Sequence, residues 1–131
     1  MAKYIRADAF EDAARREFAY LVEQGFAAVG THEYRLKFAS GWLAVQVLYD
    51  ERDGRVFTIL TGTVGNRNPT AGLQCLYVEA GLGPQQQIRD IARSMRTLTS
   101  ALNSQASGLR KLLPVLEGEQ GEVLLLRCHG R

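Results

Sequence analysis

Apolar positions recur along this chain with two different periods, and the changes from one to the other mark out its elements. From Ala9 to Val22, Phe10, Ala14, Phe18, Leu21 and Val22 return at spacings of three and four, which predicts an amphipathic helix with its charged residues largely on the other face. Asp8 is placed to act as its N-cap, with Glu11 three residues on completing a capping box, and Gly25 marks its stop. After Gly30 the period becomes two: Tyr34, Leu36 and Phe38 fall on one face of a strand, and Glu33, Arg35 and Lys37 on the other.

The alternation continues through Leu43, Val45, Val47 and Tyr49, whose intervening positions Trp42, Ala44, Gln46 and Leu48 are only partly polar. The turn Asp50 to Arg55 then joins this run to Val56–Leu60, so Trp42 to Gly65 reads as an antiparallel hairpin. Residues 65–72, rich in Gly, Asn and Pro, read as a loop, and Leu73–Val78 as a fourth strand. Short links between successive strands exclude parallel neighbours, which need crossovers of roughly a dozen residues. The expected fold class is therefore α+β, a four-stranded antiparallel meander packed with an N-terminal helix and a long or broken C-terminal helix.

That late helix is predicted from Gln85 to Leu113, where Ile88, Ile91, Met95, Leu98, Leu102, Leu109 and Leu112 keep a three-four spacing interrupted only by Gln105. Unbroken it would be about 43 Å long at ~1.5 Å per residue, more than a chain of this size readily covers. Either it breaks over Asn103–Gly108, or its 88–112 seam overhangs and suits a homodimer. Pro114 is expected to end the helix, and Val123–Leu126 to form a closing fifth strand.

Length and composition narrow the picture further. A chain of 131 residues is the usual size of one domain, and 46% hydrophobic with 23% charged residues is ordinary for a globular protein. No segment holds the ~20 apolar residues of a membrane span, and the charged N-terminus has no apolar signal region, so a cytoplasmic location is expected and a membrane partner is not. A net charge of +2 does not demand a polyanion. Cys75 and Cys128 lie in apolar surroundings and read as buried free thiols, with a disulfide as the alternative.

No residue pattern announces chemistry. Cys75, Cys128, His32 and His129 match no metal-ligand spacing, and the acidic tip Asp50, Glu51 and Asp53 is too short for a calcium loop and reads as a solvated turn. Gly81-Leu82-Gly83-Pro84 follows the predicted fourth strand and opens the late helix, where backbone N–H groups can receive an anion, but it lacks the third small residue of a dinucleotide fingerprint and reads as a chain reversal. Arg89, Arg93 and Arg96 are predicted to share a helix face, with Arg110 and Lys111 extending it; without neighbouring aromatics, nucleic acid is the weaker reading for that face. A pocket enzyme would need Asp50, His32, Tyr49 or Cys75 to converge. No cofactor is expected.

Short motifs run along most of the chain: Gly25-Phe26 after the first helix, Phe38-Ala39-Ser40 before a turn, the hairpin Tyr49-Asp50-Glu51-Arg52-Asp53-Gly54, and Leu116-Glu117-Gly118-Glu119 after the late helix. In that order they resemble a group of small bacterial α+β proteins, among them immunity and accessory proteins of bacterial competition systems. The resemblance implies a protein that binds another protein, such as a toxin, rather than an enzyme. Trp42, Phe57 and Tyr77 on the sheet, or Arg89, Arg93 and Arg96 on the helix, are the expected contact residues.

Overall fold

The computed structural model describes residues 5–131 and shows an α+β fold. Five strands, β1 (Ala27–His32), β2 (Arg35–Ala39), β3 (Leu43–Asp50), β4 (Arg55–Gly62) and β5 (Thr70–Gly72), form one antiparallel sheet in sequence order. The predicted alternation sets its faces. Leu36, Phe38, Val45, Val47, Val56 and Leu60 are buried, while their neighbours along each strand are not. The β3–β4 register pairs Tyr49 with Val56 and Asp50 with Arg55.

Local chemistry explains the hairpin turn. Asp50 Oδ1 accepts the N–H groups of Arg52 (3.0 Å) and Asp53 (3.2 Å), and Gly54 supplies the positive φ (+64°) that returns the chain to β4. Upstream, the chain makes two strands where one was expected, reversing at Tyr34 (φ +58°), with a register shift in β1 between Ala28 and Gly30.

Helices α1 (Ala7–Glu17) and α2 (Tyr20–Glu23) replace the single N-terminal helix. The expected capping box is absent: Arg6 is the N-cap, Asp8 lies in the first turn facing Arg6 (3.2 Å), and Glu11 pairs with Arg15 at 2.9 Å instead of reaching back. Phe10, Ala14 and Phe18 nonetheless bury the predicted stripe.

The second half departs most from the sequence expectations. Leu73–Val78 is not a strand but lies in helix α3 (Leu73–Glu79), and the strand that closes the sheet is Thr70–Gly72, inside the expected loop. The reason is periodic: Leu73, Leu76 and Tyr77 stand at i, i+3 and i+4 and all three are buried, but a run this short also fits a strand. Residues 85–113 do not form one helix either. Gln85–Gln87 make a single 3₁₀ turn, and the chain then runs extended beside β4, Val56 N–H donating to Asp90 O (2.9 Å) and Ala92 N–H to Gly54 O (2.8 Å).

Helix α4 (Met95–Glu117) starts only at Ser94, through a reciprocal cap in which Ser94 Oγ accepts Thr97 N–H (3.2 Å) and Thr97 Oγ1 accepts Ser94 N–H (3.0 Å). It runs unbroken through Asn103–Gly108 and past Pro114. Gly108 lets the extended segment pack close to the helix, its Cα facing the tip of the Ile88 side chain. Most of the predicted seam is used within the chain: Ile88, Leu98, Leu102, Leu109 and Leu112 are buried in its own core, while Ile91 and Met95 are exposed.

In place of a fifth C-terminal strand, Gly121–Arg127 forms helix α5, burying Leu124 and Leu125. Cys75 of α3 and Cys128, just after α5, form a disulfide with Cα atoms 5.9 Å apart, which corrects the free-thiol reading. Beyond it, Gly130 N–H donates to Thr70 O (2.8 Å) and Gly72 N–H to Arg131 O (3.2 Å), so the chain end covers the outer edge of β5. No helix among the described residues is long and apolar enough to cross a membrane.

Candidate functional site: the open face of the sheet

All the fully buried strand side chains belong to one face, so the helices cover one side of the sheet and leave the other to solvent. On the open side the register sets Arg35, Leu48 and Phe57 in one row, Lys37, Gln46, Ile59 and Gly72 in the next, and Ala39, Ala44, Thr61 and Thr70 in a third. Leu48, Phe57 and Ile59 are only half-buried. With strands ~4.8 Å apart, this places an apolar centre on β3 and β4 within about 10 Å of two exposed cations on β2. Arg35 and Lys37 form no ion pair among the described residues, unlike Arg55, which pairs with Asp90 at 2.9 Å.

The expected contact residues are dispersed. Phe57 lies on the open face. Trp42 sits at the end of β3 and lines a cavity of about 320 Å³ with Leu116 and Leu125, away from that face's centre. Tyr77 is buried on α3, its hydroxyl donating to Gln87 Oε1 at 2.6 Å, and offers no surface to a partner.

The arginine face is also corrected, because α4 begins after two of its three members. Arg89 lies in the extended segment, its N–H held by Ser104 Oγ (2.8 Å) and its guanidinium by Ser100 Oγ (3.0 Å). Arg93 precedes the cap, its side chain lying against Gly54 and its N–H donating to Thr97 Oγ1 (2.9 Å). Arg96 alone stands on α4, while Arg110 stacks over the Tyr20 ring at 4.3 Å.

Nor do Asp50, His32, Tyr49 and Cys75 converge. Asp50 caps its turn, Cys75 is in the disulfide, His32 is exposed on the edge strand, and the buried Tyr49 hydroxyl donates to Ala92 O at 3.1 Å. Tyr49 stacks with Phe10 (5.9 Å) and packs edge-on to Tyr34 (5.4 Å). Burial raises its pKa, with Glu51 and Asp50 adding to the shift. Tyr20 is raised further by burial, and Arg110 offsets only part of that. Both tyrosines bond to backbone carbonyls, Tyr20 to Ala106 O at 2.7 Å, which is a structural arrangement. Among the described residues no three His, Cys, Asp or Glu side chains group as metal ligands.

The most connected buried polar residue is Gln105, the one interruption of the apolar seam. Thr58 Oγ1 donates to its Oε1 (2.7 Å), and its Nε2 donates to Val56 O (2.9 Å) and Arg89 O (2.7 Å), so it ties α4 to β4 and to the extended segment. A lone Gln at a seam position was the signal for such a tie. Leu48, Ile59, Arg35 and Lys37 were not among the residues expected from sequence to make contacts, because apolar residues at both sets of alternate positions in β3 and β4 also suit a sheet covered on both sides. No family model, curated protein or solved structure matches the chain.

Proposed function

We propose that this chain is a non-enzymatic protein-binding module, of the immunity or accessory kind, that docks its partner on the open face of the sheet. The observation that carries the reading is the half-buried apolar centre Leu48, Phe57 and Ile59 on the sheet face away from the core, beside two exposed cations that form no ion pair among the described residues. Contiguous exposed apolar surface with a charged border is characteristic of interaction sites, and aromatic and Arg side chains are the usual anchors. The ionisable groups with raised pKa values are tyrosines bonded to backbone carbonyls, so they lend no support to an enzyme reading.

The test is capture from the native cell with the parent chain and with Leu48→Asp/Phe57→Asp, whose changes fall on the solvent side of the sheet. The proposal expects one reproducible protein partner, lost with the variant while its melting temperature stays within a few degrees of the parent. A partner retained by the variant, or none recovered with the parent, would end it.

The compartment is proposed on separate grounds. The cytoplasmic expectation rested on the charged N-terminus and the lack of an apolar signal region, and the Cys75–Cys128 disulfide is a separate observation that bears on it. A disulfide persists most readily in an oxidising compartment, and we place the module there. Mass measurement after alkylation in fresh lysate decides the matter: no alkylated cysteine supports an oxidising setting, and two alkylated cysteines support the cytoplasm.

A further inference from the structure

At the margin of the sheet, β4 runs on past the end of β5, which pairs only with Ile59 to Thr61. A cavity of about 480 Å³ opens there, within the usual range for small-ligand sites. Phe57, Ile59, Ala71 and Leu73 give it apolar walls. Thr58, Thr70, Gln74 and Gln105 also line it, their side chains hydrogen-bonded within the chain, while His129 and Arg131 line the opening from the C-terminal strip and no Asp or Glu side chain does.

Hydrogen bonding fixes what those two residues can offer. Thr70 N–H donates to His129 Nδ1 at 3.0 Å, so in the neutral ring the proton is on Nε2, which remains as a donor on an exposed side chain. Arg131 uses Nη2 to donate to Arg127 O at 2.9 Å and keeps its other guanidinium N–H groups. An imidazole N–H and a guanidinium beside an apolar cavity suit an anionic head on an apolar body. In size, 480 Å³ equals roughly sixteen waters at ~30 Å³ each, enough for a molecule of about ten non-hydrogen atoms and too little for a folded segment of another protein.

We infer that this cavity binds a small amphipathic monocarboxylate, its hydrocarbon tail against Phe57, Ile59 and Leu73 and its carboxylate received by His129 Nε2–H and the Arg131 guanidinium. The inference needs no partner protein, but it shares Phe57 and Ile59 with the proposed docking face, so its test varies His129 and Arg131, which lie outside that face's centre. The disulfide contributes to the site by anchoring Cys128, from which the strip bearing both head-group donors runs.

Calorimetric titration of the whole chain with hexanoate, heptanoate and octanoate, and with octan-1-ol as the uncharged control, tests it. The expected result is saturable one-to-one binding that tightens twofold to fourfold per methylene, fourfold being the equivalent of ~0.8 kcal/mol for full burial of a CH₂. Octan-1-ol should bind at least tenfold more weakly than octanoate. His129→Ala/Arg131→Ala should weaken octanoate at least tenfold and leave octan-1-ol unchanged. Should that variant melt lower than the parent, His129→Gln, whose amide can still accept Thr70 N–H, should weaken octanoate threefold or more. Absence of saturable binding by the parent, equal affinity for acid and alcohol, indifference to chain length, or octanoate affinity unchanged in the variants would each overturn the inference.

Discussion

Replacing Gln105 by Ala should destabilise the protein more than any single surface change, and the structure allows the loss to be worked out. Gln105 is only 1% exposed and makes three hydrogen bonds, to the Thr58 hydroxyl and to the carbonyls of Val56 and Arg89. Each contributes about 1 kcal/mol net, and truncation also leaves those partners without their mate and opens a small void, so the total comes to about 3–5 kcal/mol. With ~2.1 cal/mol/K of unfolding entropy per residue over 131 residues, 1 kcal/mol moves the midpoint by about 3.6 °C, so the melting temperature should fall by about 11–18 °C.

Gln105→Leu separates polarity from volume: it fills the space without the bonds and should still cost at least about 2 kcal/mol. Thr58→Val breaks only one of the three and should cost about 1–2 kcal/mol. Thermal and urea unfolding followed by circular dichroism give both numbers. A loss below about 1 kcal/mol for Gln105→Ala, or a neutral Gln105→Leu, would refute the view that this residue ties helix, sheet and extended segment together.

Other outcomes follow from the same structure. Reducing Cys75–Cys128, which are 53 residues apart, should destabilise by about 4 kcal/mol on the chain-entropy model, seen as a lower urea midpoint with reductant; an unchanged midpoint would contradict the bridge. Ser94→Ala removes the side-chain cap of α4 and should cost about 1 kcal/mol in the same assay. Because the folded-state pKa values of Tyr20 and Tyr49 lie above the usual value near 10, the folded state holds these protons when the unfolded chain has released them. Their contribution is complete below about pH 10 and declines above it, so stability should drop from pH 10 upward, and Tyr20→Phe should flatten that decline.

Strands β2, β3 and β4 were legible because one side of each faces the core and the other does not, which writes a period of two directly into Leu36 to Phe38, Leu43 to Tyr49 and Val56 to Leu60. The second half was harder for physical reasons. Runs of four to six mostly apolar residues satisfy strand and helix alike, so Leu73–Val78 and Val123–Leu126 took the wrong form. The three-four spacing from Ile88 to Leu98 is partly coincidental: Ile88 and Ala92 reach the core from an extended segment, and the true helix start is the reciprocal cap of Ser94 and Thr97, which lacks the Glu or Gln usual at that place. Misplacing that start is what put Arg89 and Arg93 on a helix face they do not share with Arg96. The open face was the least legible feature, because Ala44, Leu48, Phe57 and Ile59 on it are themselves apolar, a pattern that also suits a sheet covered on both sides.

Site-specific photo-crosslinking in the native cell tests the central claim most directly. A photoreactive residue in place of Ile59, on the open face, and another in place of Ser107, on the outer side of α4, compare the two surfaces of the same folded chain. The account predicts a discrete crosslinked protein from position 59 and none from position 107. A crosslink from position 107 with none from position 59 would contradict it.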